Sequence, residues 1–147
     1  MRDRFPHPYT RADAEQWISL SRHQEPQTRF AIELRGEAVG NVGLELGSDI
    51  ERRSAEIGYW LGEEFWGRGI ATAAVRAVTR YGFDALSLTR IFAVPFADSS
   101  GSKRILEKCG YVREGMMRRS AVKEGVVIDQ ILYAVTDKDL ARMPSVG

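Results

Sequence analysis

The chain has 147 residues, 44% of them hydrophobic, enough for one sizeable core, so residues 1–147 are read as a single domain. Charged residues make up 28% but sum to a net charge of +1, and the strong positive field of a nucleic-acid binder is missing. No apolar run approaches the roughly 18 residues that span a bilayer, and Cys109 with only His7 and His23 offers no zinc-ligand set.

The start Met1-Arg2-Asp3-Arg4-Phe5-Pro6 has no apolar signal-peptide core, and a lone cysteine fits a reducing compartment, so the expected location is the cytoplasm. Thr10 is placed to cap a short amphipathic helix carrying Ala14, Trp17, Ile18 and Leu20. Residues 28–34 and 41–46 are β-prone runs separated by Arg35-Gly36-Glu37-Ala38-Val39-Gly40, which predicts a hairpin with a glycine-bearing turn. After a polar stretch, residues 55–61 form the most apolar run of the first half and predict a central strand ending at Gly62. Ile70, Ala74, Ala77, Val78 and Tyr81 recur at helical spacing, with Gly82 near the expected helix end. Residues 91–94 predict a buried strand closed by Pro95, and residues 102–108 a second helix stopped by Gly110. Residues 111–117 and 126–135 predict a last hairpin. The order is mixed α/β, without repeats or linkers.

Residues 63–72 join the central strand to a helix through Gly67-Arg68-Gly69. Such a join aims backbone N–H groups and the positive end of the helix macrodipole at one spot, the arrangement that holds a pyrophosphate, and Arg68 adds a charge. The alternative is that both glycines serve the backbone turn alone. The phosphate-loop ending Gly-Lys-Ser/Thr is absent, and Thr72 stands where the dinucleotide fingerprint needs its third glycine.

The run Tyr59-Trp60-Leu61-Gly62-Glu63-Glu64-Phe65-Trp66-Gly67-Arg68-Gly69-Ile70-Ala71-Thr72 resembles the pyrophosphate-binding motif of the GNAT acyltransferase superfamily. Residues 97–111, ending Glu107-Lys108-Cys109-Gly110-Tyr111, resemble its second cofactor motif. Phe5-Pro6-His7-Pro8-Tyr9-Thr10, Ala55-Glu56-Ile57-Gly58-Tyr59-Trp60-Leu61 and Asp129-Gln130-Ile131-Leu132-Tyr133 are similar to the branch containing the Rim-type N-terminal acetyltransferases of ribosomal proteins. Glu64 stands where the superfamily prefers Gln or Arg, and Ser99 where the second motif often has Asn. Almost nothing precedes the segment matching Phe5-Pro6, where family members carry a first strand. The resemblance therefore implies a GNAT fold with that strand missing and helices on both faces of a mixed sheet, the sheet edge being open, covered by a partner such as the second subunit of a homodimer, or left bare by a chain start placed too late.

It further implies acetyl-CoA as cosubstrate, its pantetheine arm lying between two splayed parallel strands beside Trp60 and Leu61. Amides of Gly67, Arg68, Gly69, Ile70 and Ala71 would hold the pyrophosphate, with Thr72, Ser99 and Ser102 as further cofactor-binding positions. An amine protonated at neutral pH needs a base before it attacks a thioester. Glu56 interrupts an apolar strand on the face of Gly58 and Trp60, and the matching glutamate is the proposed base of Rim-type enzymes. The alternative is a strand glutamate facing water. The resemblance gives Ser102 the departing thiolate, against the alternative of a helix cap. Cys109 has no paired base for an acyl-enzyme, so direct transfer in a ternary complex is expected. The acceptor would be a protein N-terminus or a small-molecule amine. A non-catalytic acyl-CoA-binding module is the competing reading, which Glu56 disfavours; a scaffold role is disfavoured by the intact glycine turn.

Overall fold

β-Branched and aromatic runs that alternate in burial assemble one sheet, whose strands are β1 (Ile18–Arg22), β2 (Arg29–Leu34), β3 (Glu37–Leu46), β4 (Ser54–Leu61), β5 (Arg90–Ala93), β6 (Val112–Lys123) and β7 (Val126–Thr136). The structure is a computed structural model that describes residues 18–22 and 28–142. The strand order is β1-β2-β3-β4-β5-β7-β6, and all neighbours are antiparallel except β4 and β5. Two helices, α1 (Ile70–Ala85) and α2 (Ser100–Lys108), follow β4 and β5 respectively.

Period-2 alternation divides β4 cleanly. Ala55, Ile57 and Leu61 are buried, whereas Glu56, Gly58 and Trp60 are exposed on the other face. Helix α1 covers the first face with Ile70, Ala74, Val75 and Val78, which join Ile57, Ile91 and Val135 in the core. Helix α2 lies on the same side, tied to α1 by the Cys109 thiol donating to the Thr72 carbonyl at 3.4 Å and by Arg76 donating to the Lys108 carbonyl at 3.1 Å. It ends as the sequence predicts. Gly110 is left-handed at φ 89°, with Gly110 N–H on the Glu107 carbonyl and Tyr111 N–H on the Leu106 carbonyl, both at about 3 Å.

Three expectations change. Ile18 and Leu20, expected in a helix, lie in β1, which pairs along β2 from Ile18↔Leu34 to Arg22↔Phe30. Backbone pairing with β2 has overridden a mixed helical spacing there. The rest of that predicted helix, with Thr10, Ala14 and Trp17, lies outside the described residues. The turn after β2 is only Arg35 (φ 53°) and Gly36 (φ 87°), so Val39 is a buried strand residue, at the bulge between the pairs Glu33↔Ala38 and Ile32↔Gly40, and no part of a loop. Gly82 lies in the last turn of α1, near the helix end as expected. It is a packing position inside the helix, where an added Cβ would come within 2.9 Å of Ile91 Cδ1. The last hairpin is also longer than expected: β6 reaches Lys123 and turns at Glu124 (φ 51°) and Gly125 (φ 80°), so Arg118 and Arg119 are strand residues. No described helix is long and apolar enough to cross a membrane.

Candidate active site

Parallel pairing between β4 and β5 is short. It comprises Ser54↔Arg90, Ala55↔Ile91 and Glu56↔Phe92. Beyond Glu56, β4 runs on to Leu61 along β3, while the chain after β5 stays beside β7, with Ile131 N–H on the Pro95 carbonyl and Ala97 N–H on the Asp129 carbonyl. The two strands thus part, and the β4 edge from Ile57 onward has no strand partner on that side. An extended chain carrying amides can pair there as a strand would.

At the far end of β4 the chain makes a short 3₁₀ turn (Glu63–Phe65), which Trp66 pins by donating its Nε1–H to the Leu61 carbonyl at 2.8 Å. Gly67 (φ 77°) and Gly69 (φ 80°) then both adopt the left-handed conformation, Gly69 serving as N-cap of α1. No side chain caps this helix start, so the first-turn amides of Ile70, Ala71 and Thr72 keep their donors for a ligand. The Arg68 guanidinium stacks 5.5 Å from the Phe65 ring centroid beside the same turn. The glycines therefore serve backbone geometry and leave the amides bare at once; the two readings of the sequence are not rivals. Trp60 is 61% exposed, whereas the Leu61 side chain is buried in the core, so only its backbone borders the opening.

Glu56 stands at the point where the strands part. On the face opposite the helices it lines a cavity of about 690 Å³ together with Arg29, Asn41, Glu45, Gly58 and Trp60. The floor is open because Gly43 and Gly58 are direct cross-strand partners, and Glu45 is the direct partner of Glu56. Partial withdrawal from water, and secondarily the Glu45 charge, raise the proton affinity of the Glu56 carboxyl above the ordinary carboxylate value. That is the direction a general base at neutral pH requires.

Ser102 lies on the other side of the opening. It is the third residue of α2, whose N-cap is Ser99, so Ser102 is not the cap, and the Ser99 side chain makes no capping hydrogen bond. The Ser102 carbonyl accepts a hydrogen bond from the Tyr59 hydroxyl at 3.4 Å, which ties β4 to α2 on the helix-covered face. Tyr59 was assigned no role from sequence, although its place in the alternation of β4 already put it opposite Glu56. Tyr111 is core: its hydroxyl meets Thr79 Oγ at 2.8 Å inside the molecule. Cys109 is buried, and burial pushes its thiol up to about 11, which leaves it protonated and unreactive at neutral pH. Among the described residues no group of three or more His, Cys, Asp or Glu could hold a metal ion.

A family model described as an acetyltransferase (GNAT) domain matches residues 1–112, which takes in the parting strands, the glycine turn and α2. The chain belongs to the GNAT acetyltransferase family. It is 38% identical over 109 residues to the uncharacterized N-acetyltransferase YoaA of Bacillus subtilis (strain 168), covering 73% of this chain and 61% of that one. Spermidine N(1)-acetyltransferase of Escherichia coli (strain K12) is 31% identical over 121 residues, covering 78% of this chain and 62% of the enzyme. Mycobacterium smegmatis RimJ in complex with CoA-disulfide superposes with a TM-score of 0.72 at 34% identity, over 80% of this chain and 55% of RimJ. The chain thus spans about three fifths of the length of the GNAT relatives it matches. The GNAT fold accounts for the mixed sheet and its single parallel junction, with the parted strands between the two motifs.

Proposed function

We propose that the protein is an acetyl-CoA-dependent N-acetyltransferase acting on a primary amine. The observation that carries this reading is the coincidence of three features: the parting of β4 and β5, the uncapped amide turn at one end of it, and Glu56 at the other. The residues present fit the cosubstrate. The amides of residues 67–71 with Arg68 would hold the pyrophosphate, Thr72 and Ser99 would border it, and the free β4 edge would pair with the pantetheine amides beside Trp60 and the Leu61 backbone.

Glu56 takes a proton from the incoming ammonium, and the freed nitrogen lone pair forms the N–C bond to the thioester carbonyl carbon while the C–S bond breaks. Ser102, on the helix side of the opening, is the proposed proton donor to the departing sulfur, and the second proton, which the nitrogen sheds as the amide forms, passes to solvent, from which the serine hydroxyl is restored. Base and acid on opposite faces of the sheet let the nucleophile arrive on one side of the carbonyl carbon and the leaving group depart on the other. This is direct transfer, and it leaves Cys109 unused. The acceptor class is a protein N-terminus or a small-molecule amine, entering over Gly43 and Gly58.

Acetyl-CoA is titrated calorimetrically into wild type and Glu56→Gln, and both are assayed for free thiol release against N-terminal peptides and polyamines. Equal binding with transfer lost in Glu56→Gln supports the enzyme reading. Binding by wild type without transfer to any amine sinks it in favour of an acyl-CoA-binding module, and absent binding sinks the cosubstrate reading itself.

A further inference from the structure

Residues 129–133 carry part of the family resemblance, yet none of the chemistry above uses them. In space they close on the connection between β5 and α2. The Asp129 carbonyl accepts from Ala97 N–H at 2.9 Å, Ile131 N–H donates to the Pro95 carbonyl at 3.0 Å, and the Tyr133 hydroxyl donates to Glu107 Oε2 at 2.7 Å. The first two are main-chain bonds open to any sequence. Gln130 is different: its side-chain Nε2 donates to the Val94 carbonyl at 3.0 Å.

The direction of that carbonyl follows from the register. Ala93 faces Tyr133, and the bonds at Pro95 and Ala97 continue the same register, so residues 93, 95 and 97 aim their polar backbone groups at β7. Alternation then turns the Val94 carbonyl the other way, toward β4. But β4 has already departed, its last pair being Glu56↔Phe92. Val94 thus presents the first acceptor of the β5 wall that the parting of the strands leaves without a strand partner. Gln130, isolated bridge partner of Phe96, supplies the missing donor from across the sheet.

We propose that Gln130 is a positioning residue for acetyl-CoA binding, satisfying the β5 carbonyl that faces the opening so that the pantetheine arm can dehydrate that wall and pair with β4 alone. The inference rests on the acetyl-CoA reading of the same site. In the empty cleft a bare Val94 carbonyl would take a water. Entry of the arm would strip that water away, and an acceptor left unsatisfied on burial counts against binding.

The test compares wild type with Gln130→Met, similar in shape but without a donor, and Gln130→Glu, which keeps polarity but repels the carbonyl. Calorimetry would measure affinity for acetyl-CoA and for the nucleotide half of the coenzyme without its pantetheine arm, alongside the melting temperature of each free protein. We expect acetyl-CoA to bind roughly ten-fold more weakly to Gln130→Met and at least as weakly to Gln130→Glu, with nucleotide-half affinity unchanged. Equal acetyl-CoA affinity in all three proteins overturns the proposal. So does a loss shared equally by the nucleotide half, or one tracking a fall in melting temperature, either of which marks Gln130 as a fold residue only. Failure of wild type to bind either ligand instead removes the cosubstrate reading, and the inference with it.

Discussion

Glu45 and Glu56 face each other directly across β3 and β4, and like charges so placed repel. Arg29 lines the same cavity, and Arg90 is held by Glu114 through hydrogen bonds of 2.8 and 3.2 Å. As the proposed base, Glu56 must be deprotonated, so activity is expected to fall as pH drops through its raised pKa. Removing the Glu45 charge removes one of the two causes of that rise. Glu45→Gln is therefore expected to move the acidic limb of the kcat/KM profile to lower pH, whereas Glu56→Gln abolishes both limb and rate; a limb that stays put in Glu45→Gln would refute the coupling. Gly58 separates fold from function at the same place. A Cβ added there meets nothing within 4 Å, so Gly58→Leu should fold with stability changed by no more than about 0.5 kcal/mol, checked by thermal melting. Its side chain would stand in the cavity, and loss of transfer with retained folding is the expected outcome.

Among the elements, the start of α1 carries the heaviest backbone constraint. Gly69 at φ 80° and Gly67 at φ 77° sit where an L side chain is strained, and two such positions within three residues explain why the join is glycine-rich before any ligand is considered. Gly69→Ala should cost about 1–2 kcal/mol in urea unfolding and weaken acetyl-CoA binding by re-aiming the turn amides. A variant that keeps full stability and full affinity would show that the left-handed geometry is dispensable. The element β1 makes the complementary point. Spacing alone predicts a helix at Ile18 and Leu20, but ladder partners on β2 determine the outcome, and such partners are remote in sequence. The long β6 escaped for a related reason: Arg118, Arg119 and Ser120 look like loop residues because β6 is an edge strand with little burial to imprint an apolar pattern, and its ladder is irregular between Met117 and Ala121.

At the scale of the whole molecule, the parted strands leave a seam in the sheet that a bound chain would bridge, so ligand binding and stability are linked. Acetyl-CoA at about 100 times its Kd should add about 2.7 kcal/mol, read as a concentration-dependent rise in melting temperature; a melting temperature indifferent to acetyl-CoA would contradict a folded-state site. The sequence by itself determined the mixed α/β order, the strand 55–61, the helix from Ile70, the Gly110 stop, the glycine turn and the placement of Glu56 opposite the core-facing residues of its strand. Those features are local: they follow from residue periodicity and backbone conformational preference, which act over a few positions. What the tertiary structure alone decided is non-local. The identity of β1, the end of pairing after Glu56↔Phe92, the separation of Glu56 from Ser102 by the sheet, and the reach of Gln130 to Val94 each depend on which strand lies beside which. Hydrogen bonds between strands are set by register across tens of residues, and no periodicity within one segment encodes its neighbour.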